Sequence, residues 1–269
     1  MTIKVGLIGC GSIGTVLAKF IDASPQFSLT HILDDDAERC EILMKGLHSK
    51  PASVIRTDDM TGTDLIIEAA SQECVRERGP KMVEKADTMF MSIGAFSDMM
   101  LFNDLKERAE KSSHRIYIPS GAIAGLDGIK AAAQSGLETV MLTTRKNPKS
   151  FEGTPWVIKH DIPIHSIKKP EIIFEGSAKH AAEWFPKNVN VSIALALAGI
   201  GPERTKVRII ADPFAERNIH EIIAEGKFGS MTVKLENNPS PHNQKTSRLA
   251  SMSAIATLKK ISETVQIGT

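Results

Sequence analysis

Through residues 5–118 the chain alternates between two hydrophobic patterns. Short, nearly unbroken apolar runs at 5–8, 27–33, 64–68, 88–93 and 115–118 predict strands buried on both faces. Between them, apolar residues recur at helical spacing, most clearly Val16, Leu17, Phe20 and Ile21. These predict helices over 12–23, ended by Ser24-Pro25, from near Ala37, through about Lys85, and over 97–111. Strands that alternate with helices in this way imply right-handed βαβ crossovers and a doubly wound parallel sheet, the Rossmann-type α/β arrangement.

Beyond Pro119 the alternation breaks down. Residues 119–127 form a glycine- and alanine-rich loop that opens a helix, and 137–144 read as a strand. The stretch 147–170 is loop-rich, 171–175 is a short strand, and 178–184 is a helical turn or two. An apolar helix follows over 189–198 with Asn188 as its N-cap, which leaves Asn190 in the first turn without a structural duty. Three strand-like segments come next, 206–211, 218–224 and 231–236, the last two joined as a hairpin by the glycine turn at 226–229. A polar loop at 237–246 leads to an amphipathic helix over 247–265, expected to pack back on the first domain. The expected organisation is a Rossmann domain of residues 1–118 plus 245–269, and a second α+β domain, 119–244, whose mixed or antiparallel sheet carries the substrate site.

Candidate chemistry begins where the first strand meets Gly9-Cys10-Gly11-Ser12-Ile13-Gly14, with glycines at G-x-G-x-x-G spacing. Gly9 permits a tight turn, Gly11 lets a pyrophosphate approach the backbone, and Gly14 lets helix pack on strand. Ser12 and Ile13 open the helix, whose unpaired N–H groups and positive dipole end suit phosphates. Asp34 ends the second strand about 20 residues beyond Gly14, where an acid takes the adenosine ribose hydroxyls. That placement favours NAD over NADP, although nearby Arg39 could accommodate a 2′-phosphate. Asp36 suits the cap of the next helix. The small residues Ala69-Ala70-Ser71 and Gly94-Ala95, at later strand ends, would floor the cofactor cleft, so Ala70 joins the candidate cofactor-binding residues.

Composition removes several function classes. A chain of 269 residues with 42% hydrophobic and 24% charged residues can bury a substantial core. A net charge of +1 argues against nucleic-acid binding by bulk electrostatics. Three cysteines without C-x-x-C spacing argue against a disulfide framework or a cysteine zinc site, and fit a reducing cytoplasm. The sequence enters its first strand without a basic leader, and the apolar stretch 189–200 is too short to span a bilayer. No H-E-x-x-H or G-x-S-x-G occurs, so neither a metal site nor a nucleophile elbow is expected. Among eight histidines His220 stands out, because strict alternation puts it on one strand face with Ile222 and Ala224. Those apolar surroundings are expected to place its pKa in the physiological range.

Four later segments together resemble the L-aspartate dehydrogenases: 119–127, 185–191, Ala211-Asp212-Pro213 with Arg217-Asn218-Ile219-His220, and Lys245-Thr246-Ser247. The similarity runs nearly end to end, with Gln244 where that family usually has proline. Its members are similar in fold to dihydrodipicolinate reductase and homoserine dehydrogenase. The resemblance implies oxidation of L-aspartate with NAD, and possibly also NADP, to iminoaspartate. This product hydrolyses to oxaloacetate and ammonia or feeds NAD biosynthesis. It also implies His220 as the active-site histidine, Ala124 and Asn190 at the nicotinamide end of the cofactor, and a cytoplasmic homodimer. Lys245, Thr246 and Ser247 are candidates for holding the substrate carboxylates, with Arg145 or Lys146 as cationic alternatives, although that pair also reads as a solvated strand end. Two alternatives remain. One is a dihydrodipicolinate-reductase- or homoserine-dehydrogenase-like oxidoreductase; the former family carries a His-His pair that this chain lacks. The other is a non-catalytic NAD-sensing protein.

Overall fold

The structure, a computed structural model, describes residues 2–186, 189–240 and 243–268, with the backbone alone for 239–240 and 243–246. The expected N-cap Asn188 lies outside the described residues. The chain divides into two compact units, one running to Pro119 and resuming at Ser251–Ile267, the other centred on Ser120–Ala250.

The first unit contains β1 (Ile3–Ile8), α1 (Ser12–Asp22), β2 (Phe27–Leu33), α2 (Ala37–Lys45), β3 (Ala52–Ser53), β4 (Leu65–Glu68), α3 (Gln72–Lys85), β5 (Asp87–Phe90), α4 (Met99–Lys111) and β6 (Ile116–Tyr117). Its six strands lie in the order β3-β2-β1-β4-β5-β6, and every pair is parallel. The apolar runs dictate this. Val5, Leu7, Ile8 and Leu65–Ile67 are almost wholly buried, which requires helices on both faces of the sheet. The order reverses between β1 and β4, and ligands bind beyond the carboxyl ends of strands at such a switch point. β5 stops earlier than the sequence suggested, because a 3-10 turn over Ile93–Ser97 seats Phe96 edge-on against Phe90, with ring centroids 5.3 Å apart.

The second unit contains α5 (Leu126–Ser135), β7 (Leu137–Lys146), α6 (Pro155–Lys159), β8 (Glu171–Ser177), α7 (Ala178–Trp184), α8 (Asn190–Ala198), β9 (Lys206–Ala211), β10 (Asn218–Gly226), β11 (Gly229–Asn237), and the short pair β12 (Pro239–Ser240) and β13 (Asn243–Ser247). Its five-stranded sheet runs β11-β10-β7-β9-β8, with β7 and β9 parallel and the other neighbours antiparallel. The expected hairpin is β10–β11, in register from Asn218↔Asn237 to Gly226↔Gly229. Val140, Leu142, Ile222 and Ala224 form one cluster with Ile129 and Ala132 of α5 and Val191 and Leu195 of α8. Every residue from Val191 to Ala196 is buried, as expected of a helix that is apolar all round. β7 continues two residues beyond the expected 137–144, so Arg145 and Lys146 lie within the sheet. A last helix, α9 (Arg248–Ser262), sends Ala254 and Leu258 into the first unit's core beside Leu7, Leu17 and Ile32. Among the described residues no helix is long and apolar enough to cross a membrane, and no group of ligands could hold a metal ion.

Candidate active site

The glycine motif forms a cradle with one open position. Gly9 has φ +99°, a left-handed conformation, and a Cβ there would lie 2.6 Å from the Ala69 carbonyl carbon and oxygen. A Cβ on Gly14 would lie 1.8 Å from the Gly9 carbonyl oxygen. Around Gly11, by contrast, nothing approaches within 4 Å. Two glycines therefore bring β1, α1 and the loop after β4 together, while the third leaves room where α1 begins with no side-chain cap. That combination of open backbone and unpaired helix N–H groups fits a pyrophosphate.

Beside it lies a cavity of about 400 Å³ whose lining includes Gly9, Gly11, Asp34, Ala70, Arg39 and Arg78. Ser12, Ile13 and Gly14 make the first turn of α1 and are not among the lining residues. Asp34 braces the cradle: its Oδ2 accepts the Cys10 N–H at 2.7 Å and its Oδ1 accepts the Asp36 N–H at 3.0 Å. Asp36 caps α2 by accepting from the Glu38 N–H at 3.1 Å. Arg39 and Arg78 pair with Asp36 and Asp35 at 3.3 and 2.9 Å.

One buried residue that braces the cavity floor escaped the sequence reading. Glu68, 0% exposed, ends β4 and accepts the Ala70 N–H (2.8 Å), the Ser92 N–H (3.0 Å) and the Ser92 hydroxyl (2.8 Å). Burial pushes its pKa up, and these donors pull against that push. The carboxyl thus ties the cavity floor at Ala70 to the loop after β5. The signal was present as a lone acid closing the run Leu65-Ile66-Ile67. Replacing Glu68 with Ala orphans buried donors at a cost of about 1–3 kcal/mol each. We expect a lowered melting temperature and weaker NADH binding by fluorescence titration. Unchanged affinity in folded Glu68→Ala would show that the floor does not depend on this carboxyl.

In the second unit the covered sheet face changes character along its length. Alternation places Val140, Leu142, Thr144 and Lys146 of β7 beside Asn218, His220, Ile222 and Ala224 of β10, all buried. One end of this face is apolar and the other is polar. His220 pairs in register with Thr144, whose Oγ1 lies 3.0 Å from His220 Nδ1. Asn218 donates to Ser247 Oγ at 3.3 Å, and Asn237 donates to the Ala122 carbonyl at 2.8 Å, anchoring the loop that carries Ala124. Ala124 and Asn190 are exposed. Their neighbours Ile123 and Val191 share the apolar cluster of Ile222 and Ala224. Of the three substrate candidates Ser247 is buried in this network, whereas the side chains of Lys245 and Thr246, on β13, lie outside the described residues.

Two expectations need correction. His220, 1% exposed, is pushed down to about 3 by burial and then by the positive charge of Lys146, below the expected physiological range. Lys146 is no solvated strand end. It is buried, and burial lowers its pKa to about 8. The alternation separates it from Arg145, whose guanidinium meets Asp212 at 3.3 Å and lines a hollow with Thr143, Ile219, Glu221 and Lys234.

A Rossmann unit with a phosphate cradle, carried in one chain with a unit that buries a neutral histidine among hydroxyl and amide groups, marks the nicotinamide-dependent oxidoreductases. Residues 9–119 match the family model for the homoserine dehydrogenase NAD binding domain, and residues 127–261 match that for the aspartate dehydrogenase C-terminal domain. The chain is 44% identical to the L-aspartate dehydrogenase of Methanococcoides burtonii and 45% identical to that of Methanosarcina mazei, in each case over 99% of this chain and 100% of the relative. The crystal structure of aspartate dehydrogenase from Thermotoga maritima superposes with a TM-score of 0.75 at 25% identity, covering 100% of both chains. The chain belongs to the L-aspartate dehydrogenase family.

Proposed function

We propose that this protein catalyses the NAD(P)-dependent oxidative deamination of L-aspartate, through iminoaspartate, to oxaloacetate and ammonia. The observation that carries this reading is His220, buried, neutral and held at Nδ1 by Thr144, in a chain related end to end to L-aspartate dehydrogenases. When bound, the nicotinamide supplies a hydride acceptor for the substrate Cα. Gly9, Gly11, Ser12, Ile13, Gly14, Asp34 and Ala70 hold the adenosine-diphosphate half, and Ala124 and Asn190 the nicotinamide end. Asp34 selects for NAD, while Arg39 and Arg78 on the same cavity allow NADP as well.

Hydride can leave Cα only when the α-amine is neutral, so the ammonium proton must first go to a base. In this reading Nδ1–H donates to Thr144 Oγ1, which leaves the Nε2 lone pair of His220 to accept it. The negative charge of the substrate's carboxylates favours protonated imidazole, so base strength develops with substrate bound. Hydride loss from the neutral amine leaves an iminium; as water adds, its proton goes to solvent, and the protonated imidazole returns its own proton to the departing amine. Lys245, Thr246 and Ser247 bind the carboxylates. In this reading the enzyme is a cytoplasmic homodimer whose iminoaspartate also supplies NAD biosynthesis.

The test is NADH appearance at alkaline pH with a panel of L-amino acids. Turnover confined to L-aspartate is the expected result. NAD binding without turnover of any of them would replace this reading with that of a nucleotide sensor.

A further inference from the structure

We propose that Arg78 of α3 is the residue that admits the 2′-phosphate of NADP, and that Asp35 controls it by competing for its guanidinium. The inference deepens the cofactor reading above and rests on it. The cavity beside the glycine cradle carries five charged residues on its lining: Asp34, Asp35, Asp36, Arg39 and Arg78. The acids outnumber the bases by one, so the rim opposes a further phosphate on the ribose. Asp34 cannot turn away from such a group. Its two carboxylate oxygens are fixed by the Cys10 and Asp36 N–H groups at 2.7 and 3.0 Å. NADP therefore needs a cation on this wall that can exchange its present partner for phosphate.

The two arginines are held in different ways. Arg39 pairs with Asp36 at 3.3 Å, three residues away, and its side chain is 59% exposed. Asp36 is at the same time the cap of α2, accepting the Glu38 N–H at 3.1 Å. Water screens an exposed cation of that kind, which gives it little hold on an anion. The Arg78 side chain is 24% exposed, and its partner comes from another element. One terminal nitrogen donates to Asp35 Oδ1 at 2.9 Å, and the other lies 3.5 Å from the Ile55 carbonyl oxygen. Contacts to the loops after β2 and β3 thus fix the guanidinium at the cavity wall. A planar, partly desolvated fork suits phosphate, and its charge is less screened than that of Arg39. Asp35, by contrast, is 87% exposed. Its carboxylate regains water at little cost once the guanidinium leaves it. A ribose 2′-phosphate can hence take the place of Asp35 on Arg78, whereas NAD leaves the pair intact. Cofactor choice then rests on an exchange of anions on one arginine, and not on Asp34 alone.

The test compares NADPH and NADH binding by fluorescence titration. Wild type is set beside Arg78→Met, Asp35→Asn, Arg39→Met and the double variant Arg78→Met with Asp35→Asn. Arg78→Met should weaken NADPH about 10–100-fold, the worth of charged hydrogen bonds to phosphate, and NADH by less than about threefold. Asp35→Asn should tighten NADPH about 3–10-fold, by removing a competitor and one negative charge. In the Arg78→Met background the same change should gain less than about twofold, because its main route is through the arginine. Arg39→Met should weaken NADPH by less than Arg78→Met does, and the reverse order overturns the assignment. Equal losses of NADPH and NADH in folded Arg78→Met also overturn it, since the arginine would then hold a part that both nucleotides share. So does a fully additive double variant, in which Asp35 acts by its charge alone. Should Arg78→Met fail to fold, Asp35→Asn decides: unchanged NADPH affinity overturns the proposal. Nucleotide binding needs no aspartate. If selectivity follows Arg78 and Asp35 while wild type oxidises no aspartate, the reaction is overturned and the role of the arginine upheld. If wild type binds neither nucleotide, both fall.

Discussion

Replacing His220 with alanine should lower L-aspartate turnover by about two to four orders of magnitude, with NADH affinity little changed. The imidazole is the titratable group whose free nitrogen meets the substrate amine in the proposed reaction, and Thr144 cannot substitute for it. Stopped-flow and steady-state assays on protein shown to be folded by circular dichroism give the comparison. Turnover within about threefold of wild type would remove His220 from the chemistry. The same residue contributes to acid stability. Its folded pKa of about 3 lies below its ordinary value of 6.5. The unfolded chain therefore binds more protons between those limits, and stability falls as pH drops through that window. The slope is about 1.4 kcal/mol per pH unit for one fully linked group. His220→Asn, which cannot titrate, should show a flatter decline in melting temperature between pH 7 and 5 than wild type.

Replacing Gly14 with alanine should be as damaging in the first unit. Its Cβ would sit 1.8 Å from the Gly9 carbonyl oxygen, a backbone atom that no rotamer change can move. Either α1 shifts or the turn opens. Such forced rearrangements belong to the rare substitutions costing more than about 4 kcal/mol. We expect poor expression or a sharply lowered melting temperature, together with loss of NADH binding. Gly11→Ala separates the two effects, because its Cβ meets nothing within 4 Å. It should melt close to wild type and yet bind NADH about tenfold or more weakly, the methyl occupying space meant for phosphate and costing about one charged hydrogen bond. Normal NADH affinity in Gly11→Ala would place the pyrophosphate elsewhere.

The first unit was legible because parallel strands buried on both faces write themselves as apolar runs, and because Gly9 and Gly14 have steric duties. The second unit was legible where local rules suffice, as in the β10–β11 hairpin and helix α7. It was misread where burial overrode polarity. Arg145-Lys146 looked like a solvated strand end, since two cations seldom terminate a buried strand, yet the pleat puts one inside and one outside. Glu68 went unnoticed as a brace because its donors, Ala70 and Ser92 among them, come from loops that the strand pattern does not bring together. For His220, alternation gave the face but not the depth. The charge of Lys146, which comes from a strand more than 70 residues earlier in the chain, could be found only from the pairing of β7 with β10.

That pairing carries a further consequence. A pleated strand is a two-phase reading frame, and β7 is held in phase by its bonds to β9 and β10. Deleting one residue between Val140 and Thr144 would leave every side chain type in the protein and reverse their phase, turning Arg145 toward His220 and Lys146 toward solvent. Insertions and deletions in this strand are thus a different class of mutation from substitutions. An otherwise intact relative with an odd-length change in β7 would be expected to have abandoned this chemistry, whereas one with an even-length change could keep it.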